Sequence, residues 1–340
     1  MRSGVRRSAG RALCAIGCAV LLGGACAGEA VQKEDMADQV ASAAWWGDYD
    51  ELQRLYDAAK ASQERMPNGD YVAEQFIVGY ARIFNNGEKP NTDAYYAQVE
   101  KLTRQWALDH PASSMAQNMY ARALYAHAWF VRGGSYAVDV EPQAWAGFKR
   151  YIGMAADHLL QHADVVKGDT TTTIYLVMIE RAAGATFDFQ WAIARDGLRR
   201  EPDNWGIYTE MAVSALDKWG GTADQLDTVA RYAASISTAD RAHEIYTRVY
   251  LLAAQEYKGA TFTKTKANWS ELQQGFEAML ARDPGPDVLN SYARMACMAQ
   301  DKARTRSLLA RIGDRLLPQK WGGGDGQRVL DVCAQWARSE

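Results

Sequence analysis

Proline is scarce in this 340-residue chain, with eight in all, and cysteine scarcer still, with five. These counts exclude a proline-rich or collagen-like fibre and a small disulfide scaffold. There is no C-x-x-C pair to hold zinc or run redox chemistry. The apolar run Ala12 to Leu22 is eleven residues, too short to span a bilayer as a helix, which takes about 20. Charge of one sign is missing too, with Lys plus Arg 38 and Asp plus Glu 41. Discounting Arg2, Arg6, Arg7 and Arg11, which precede the apolar run, leaves 34 basic residues against 41 acidic, a net −7. A mildly acidic protein is poorly suited to wrapping nucleic acid, whose affinity comes largely from neutralised phosphates. What is present in quantity is apolar and aromatic matter: 48% hydrophobic residues, with 11 Trp and 17 Tyr, enough to bury a core.

The acid-free, arginine-rich start followed by an uncharged run is the pattern of a secretory signal, predicted here over residues 1–25. Leu22-Gly23-Gly24-Ala25-Cys26 resembles a bacterial lipobox, after which the Cys26 thiol is acylated and becomes the mature N-terminus, although Gly23 stands where leucine is usual. Plain cleavage at Ala25-Cys26-Ala27 is the competing reading, and Arg6-Arg7 fits the twin-arginine route only loosely. Residues 26–36 are then a short tether, and the expected location is the bacterial envelope, as a periplasmic or membrane-anchored lipoprotein whose membrane contact is the lipid anchor. Setting aside Cys14, Cys18 and Cys26 leaves Cys297 and Cys333. They either pair in an oxidising compartment or stay buried as free thiols in apolar helical surroundings, and the free-thiol reading is favoured.

From Met36 on, apolar residues recur at three and four, as in Tyr120-Ala121-Leu124-Tyr125-Ala128 and Tyr246-Val249-Tyr250-Ala253, while alternating Val/Ile runs are nearly absent. Breakers fall between such stretches: Met66-Pro67-Asn68-Gly69, His110-Pro111, Lys167-Gly168-Asp169, Glu201-Pro202-Asp203-Asn204, Thr238-Ala239-Asp240 and Asp283-Pro284-Gly285-Pro286. Joints at 168, 202, 240, 284 and 318 lie 34 to 44 residues apart, the interval of paired antiparallel helices in a solenoid. The stretches ending in Pro202 and Pro284 are similar to the close of a tetratricopeptide repeat, without its full signature. The predicted fold is therefore all-α, an α-α superhelix built as a degenerate tetratricopeptide-like solenoid over 37–340, with a division into 37–165 and 166–340.

A second repetition is sharper. Lys218-Trp219-Gly220-Gly221 recurs as Lys320-Trp321-Gly322-Gly323, and Leu226-Asp227-x-Val229-Ala230-x-Tyr232-Ala233 recurs as Leu330-Asp331-x-Cys333-Ala334-x-Trp336-Ala337. Each copy reads as a helix ended by glycine, a loop, and a helix whose Leu-Ala-aromatic stripe faces inward. Together with Ala128-Trp129-Phe130-Val131-Arg132-Gly133-Gly134-Ser135-Tyr136-Ala137 and Tyr292-Ala293-Arg294-Met295-Ala296-Cys297, these segments resemble the bacterial domain-of-unknown-function family numbered 4034, over about residues 45 to 337. The resemblance implies an all-helical, repeat-like fold and carries no activity, cofactor or catalytic residue with it.

Other constellations are weaker. His158 and His162 share a helical face at metal-site spacing, but Leu159 replaces the glutamate of the zinc-protease motif and no third ligand is signposted, so a solvated or hydrogen-bonded pair is expected. Gly322 to Gly326 lacks the strand and Lys of a phosphate cradle and reads as a loop. Trp106, Trp129, Trp191 and Trp336 sit in apolar stripes and are expected in the core, and Trp45-Trp46 as a cap on the first helix. Trp219 and Trp321 stand beside Lys and Gly, where a ring either staples a loop or lines a groove; stapling is favoured. On the groove reading, Trp219 and Trp321 with Arg132, Lys218 and Lys320 receive an acidic peptide or glycan. The expected function is binding of a protein or peptide partner in the envelope, with no cofactor, metal or nucleic acid. The alternative is a helical enzyme acting on cell-wall polysaccharide through paired carboxylates, recognisable by a deep pocket holding two acids.

Overall fold

The computed structural model describes residues 35–62, 64–66, 69–85 and 90–339. The expected signal peptide and Cys26 lie outside those residues, as do Pro67 and Asn68 of the first joint. Among the described residues the regular structure is helical, with a single isolated bridge between Arg65 and Tyr71 in place of any strand. The first half comprises α1 (Asp35–Trp46), α2 (Tyr49–Ser62), α3 (Val72–Ala81), α4 (Asp93–Asp109), α5 (Ser114–Arg132), α6 (Pro142–Gln161) and α7 (Ala163–Val166). It continues through α8 (Thr170–Ala183), α9 (Phe187–Arg200), α10 (Trp205–Ser214), α11 (Ala223–Ile236), α12 (Ala239–Tyr257) and α13 (Thr261–Lys264). The chain ends with α14 (Trp269–Arg282), α15 (Pro286–Met298), α16 (Lys302–Ile312) and α17 (Gly326–Arg338).

Local chemistry sets these boundaries. Asp169, Asn204 and Asp301 cap α8, α10 and α16 by accepting a hydrogen bond from a first-turn amide, and Thr222 with Gln225 forms a reciprocal capping box on α11. Pro142 and Pro286 open α6 and α15, where a missing N–H costs nothing. Pro111, Pro202 and Pro284 all lie at turns between helices, where the sequence reading puts them. α5 stops at Gly133, whose φ of 77° lies in the left-handed region.

Helices pack on their neighbours in order, α4 on α5, α5 on α6, α8 on α9, α11 on α12, α12 on α14, and α15 on α16. Two apolar clusters result. One gathers Phe76, Tyr80, Trp106 and Phe148, with Tyr80 stacked on Trp106 at 5.5 Å; the other gathers Tyr208, Tyr250, Phe276 and Tyr292, the last two stacked at 4.4 Å. α8 is their common wall, sending Tyr175 and Ile179 into the first, Val177 into the second, and Ile174 against both. Truncating a fully buried ring such as Trp106 costs about 3–5 kcal/mol.

Three sequence expectations need correction. Cys297 on α15 and Cys333 on α17 form a disulfide, with Cα atoms 5.9 Å apart, where free thiols were favoured; the inward Leu-Ala stripe of α17 that seemed to bury a small thiol is what brings its sulfur to α15. Trp46 is 86% exposed and caps nothing, because it stands at the last position of α1, beyond the packed face. Trp129 and Trp336, expected in the core, are only half-buried.

Candidate functional site

The residues singled out from the sequence separate into two groups. Arg132 and Trp219 come together. Arg132 closes α5 and Trp129 precedes it by one turn, so both side chains leave the same face. The Arg132 guanidinium lies 5.3 Å from the Trp129 ring centre and 5.2 Å from that of Trp145 on α6. Trp219, in the short turn after α10, meets Trp129 edge-to-face at 5.9 Å and 90°. The guanidinium of Arg181, on α8, stands 5.3 Å from the Trp219 ring. The result is a ladder, Trp145–Arg132–Trp129–Trp219–Arg181, that alternates cations and rings and joins an aromatic of the first core cluster to one of the second.

Polar contacts fix both ends of this ladder. Arg132 Nη1 donates to the carbonyls of Gly133 (3.0 Å) and Ser135 (2.8 Å) and so pins the turn that follows α5. Arg181 Nη2 donates to Glu210 Oε2 at 2.6 Å, and its Nη1 to the Glu210 carbonyl and Ser214 Oγ. Arg132 Nε, Arg181 Nε and Trp219 Nε1 are buried and have no acceptor among the described residues. Lys218 projects outward beside Trp219 and pairs with Glu256 at 2.7 Å.

Lys320 and Trp321 are elsewhere. Trp321 is fully buried, donating from Nε1 to Asn290 Oδ1 at 3.0 Å, and Lys320 pairs with Asp287. Trp321 therefore staples its loop and cannot face a ligand, which removes it from the groove reading. The two matched Lys-Trp-Gly-Gly segments thus have the same backbone setting, a tight turn ahead of a helix, and different surroundings. In the second copy Gly326 approaches so closely that a Cβ there would lie 1.9 Å from the Pro318 carbonyl oxygen.

A second cluster, which the sequence did not flag, lies where the first turns of α8 and α10 meet α2 and α3. Asp169, the cap of α8, is almost wholly buried and accepts hydrogen bonds from Tyr56 Oη (2.5 Å), Ser114 Oγ (2.5 Å), Lys60 Nζ (3.2 Å) and the Thr171 amide (2.9 Å). Burial pushes its pKa up, but Lys60 and these hydrogen bonds outweigh burial and hold the carboxyl below its usual range. Glu74 on α3 lines the same cleft, and burial, reinforced by Asp70 and Glu201 and opposed by Arg248 and Arg241, pushes it up to about 8. The cleft offers only about 50 Å³, far below the ~300 Å³ at which ordinary ligand pockets begin. Beside it, Arg65 pairs with Asp203 at 2.9 Å and Asp70 with Arg248 at 2.6 Å, so the segment on either side of the Arg65–Tyr71 bridge is clamped to the turn before α10 and to α12.

The histidines pair as expected from their spacing: His162 Nδ1 lies 2.9 Å from the His158 carbonyl oxygen, and the rings are 4.4 Å apart. Burial, then the neighbouring His162, pushes His158 down to about 4, so it is neutral at physiological pH. Among the described residues no three His, Cys, Asp or Glu converge as a metal site.

Compared by sequence, the chain matches no known protein family and no curated protein. Its resemblance to family 4034 and to tetratricopeptide repeats therefore rests on the motifs quoted above.

Proposed function

We propose that this is an exported, lipid-anchored helical-repeat protein of the bacterial envelope that binds a protein or peptide partner at the rim formed by Trp219, Lys218 and Arg132. The observation that carries this reading is the ladder itself. Rings and guanidinium groups from four separate elements meet at one rim, half-buried, with three N–H groups lacking acceptors, and Trp, Tyr and Arg are the residues that dominate binding hot spots. Carboxylates and backbone carbonyls of an acidic peptide supply the acceptors such a surface lacks. A repeat architecture of the solenoid type, with the membership in family 4034 that the motifs imply, fits this use, because stacked helix pairs leave their rims free for recognition. The Cys297–Cys333 bridge supports export, since disulfides persist mainly outside the reducing cytosol. The narrowness of the Glu74–Asp169 cleft favours this reading over chemistry on a polysaccharide.

The test is crosslinking in intact cells followed by purification of the tagged chain, comparing the native protein with Lys218→Glu and with Arg132→Ala/Lys218→Ala. Loss of one envelope protein from both variants, with unchanged helical dichroism, is the expected result; an unchanged set of partners contradicts the proposal.

A further inference from the structure

The turn between α5 and α6 is unlike the other joints: it carries its apolar side chains outward. Tyr136 is 84% and Val138 91% exposed, and they flank a short helical turn held at its base by Arg132. Trp46, equally exposed, belongs to the same rim. The link is traced by ring contacts: Trp45 lies 6.1 Å from Tyr95 at the start of α4, Tyr95 5.7 Å from Tyr96, and Tyr96 5.0 Å from Phe130 at the end of α5. At the foot of the turn an open hollow of about 590 Å³ is lined by Val140, Pro142, Trp145, Ala146 and Lys149.

We infer that this rim inserts into the surface of an anionic phospholipid bilayer, with Tyr136, Val138 and Trp46 entering the interface and Lys149 meeting a lipid phosphate at the hollow. The shape decides against a groove-bound partner: these side chains stand on a convex turn, and a bilayer is the occupant that receives a protruding apolar tip. Aromatic rings mixed with aliphatic side chains suit the headgroup boundary, where amphipathic rings settle. Arg132, Lys149 and Arg150 outnumber Asp139 and Glu141 around the turn, so the local balance favours anionic lipid. Chain length supplies the third argument, which rests on the anchor proposed above. From Cys26 to the first residue of α1 the tether is nine residues, a reach of at most ~30 Å, so the folded part stays beside the membrane at high effective concentration. A single acyl signal is marginal and a second contact makes attachment stable. The partner surface at Lys218 would then sit next to the bilayer, along the ladder from the inserted turn.

The experiment uses the full acylated chain on vesicles of phosphatidylethanolamine and phosphatidylglycerol. An environment-sensitive fluorophore is placed through Val138→Cys or, as a control beside the Glu74–Asp169 cleft, Lys167→Cys, and nitroxide-bearing lipid is the quencher. The expected result is a blue shift and strong quenching at position 138 with neither at 167, and weaker quenching on vesicles without the anionic lipid. Equal, weak quenching at both positions on vesicle-bound protein overturns the insertion and leaves the anchor standing. A label at 138 shielded by a crosslinked protein instead of lipid also overturns it. Mass measurement of the N-terminal peptide in the same preparation separates the two readings: an unacylated N-terminus overturns the anchor and this inference together.

Discussion

Glu74 and Asp169 face one cleft with opposite tendencies, and the contrast is a matter of partners. Asp169 meets donors on every side; Glu74 Oε1 is buried without one and has Asp70 and Glu201 for neighbours. A carboxyl whose folded value, about 8, lies above the ordinary 4.5 stabilises the fold fully below the lower value, and that contribution is lost as pH rises through the higher one. Glu74→Gln imitates the protonated form at every pH. Chemical denaturation is therefore expected to find the variant equal to the native protein near pH 4 and more stable by about 1–3 kcal/mol near pH 9; identical curves at both ends exclude this assignment. Asp169 behaves in the reverse sense: its contribution is present above the usual 3.8 and fades as pH falls through its lower folded value. Asp169→Ala removes a cap and leaves Tyr56 and Ser114 without their acceptor, a loss of about 2–4 kcal/mol at pH 7 measured as a shift in denaturant midpoint. Its capping role was legible in Lys167-Gly168-Asp169. Its hydrogen bond to Tyr56 was not, since the two residues are 113 apart and no local pattern encodes their meeting.

At the scale of helices, periodicity and breakers carried most of the information. Period-three-and-four apolar spacing and proline at the joints placed α5, α8, α10, α12 and α15 because those signals act within one or two turns. Close approach is the part they could not carry. Gly275 on α14 lies so near α12 that an added Cβ would sit 2.0 Å from Thr247 Oγ1 and 2.2 Å from the His243 carbonyl oxygen. Gly275→Ala is expected to cost about 1–3 kcal/mol by forcing the two helices apart, whereas Gly153→Ala, with open space around it, is expected to be neutral or slightly stabilising in thermal melts. Comparable losses for the two variants contradict the tight α12–α14 contact. The Lys-Trp-Gly-Gly copies make the same point: identical letters set the same turn, and only the neighbouring helices decide that Trp219 stays half-exposed against Trp129 while Trp321 is sealed against Asn290.

For the whole molecule, two core clusters share α8, the ladder bridges them at one rim, and a disulfide fastens the last helix to α15. Cysteine counting could not decide that bridge, because pairing depends on how α17 folds back and not on its own pattern. Replacing Cys297 and Cys333 with serine, across a separation of 36 residues, is expected to cost about 3–4 kcal/mol, and mild reduction of the native protein should reproduce the loss. The binding residues were partly legible: Arg132, Lys218 and Trp219 stood out as cations and rings near glycine, but Trp145 and Arg181 joined them only in three dimensions. The central claim is that this rim, and not its sequence twin near the C-terminus, is the recognition surface. It is tested most directly by a photo-crosslinking amino acid at position 218 or at position 320 in living cells. The account predicts a discrete crosslinked partner from 218 and none from 320; a partner captured equally from both, or from 320 alone, contradicts it.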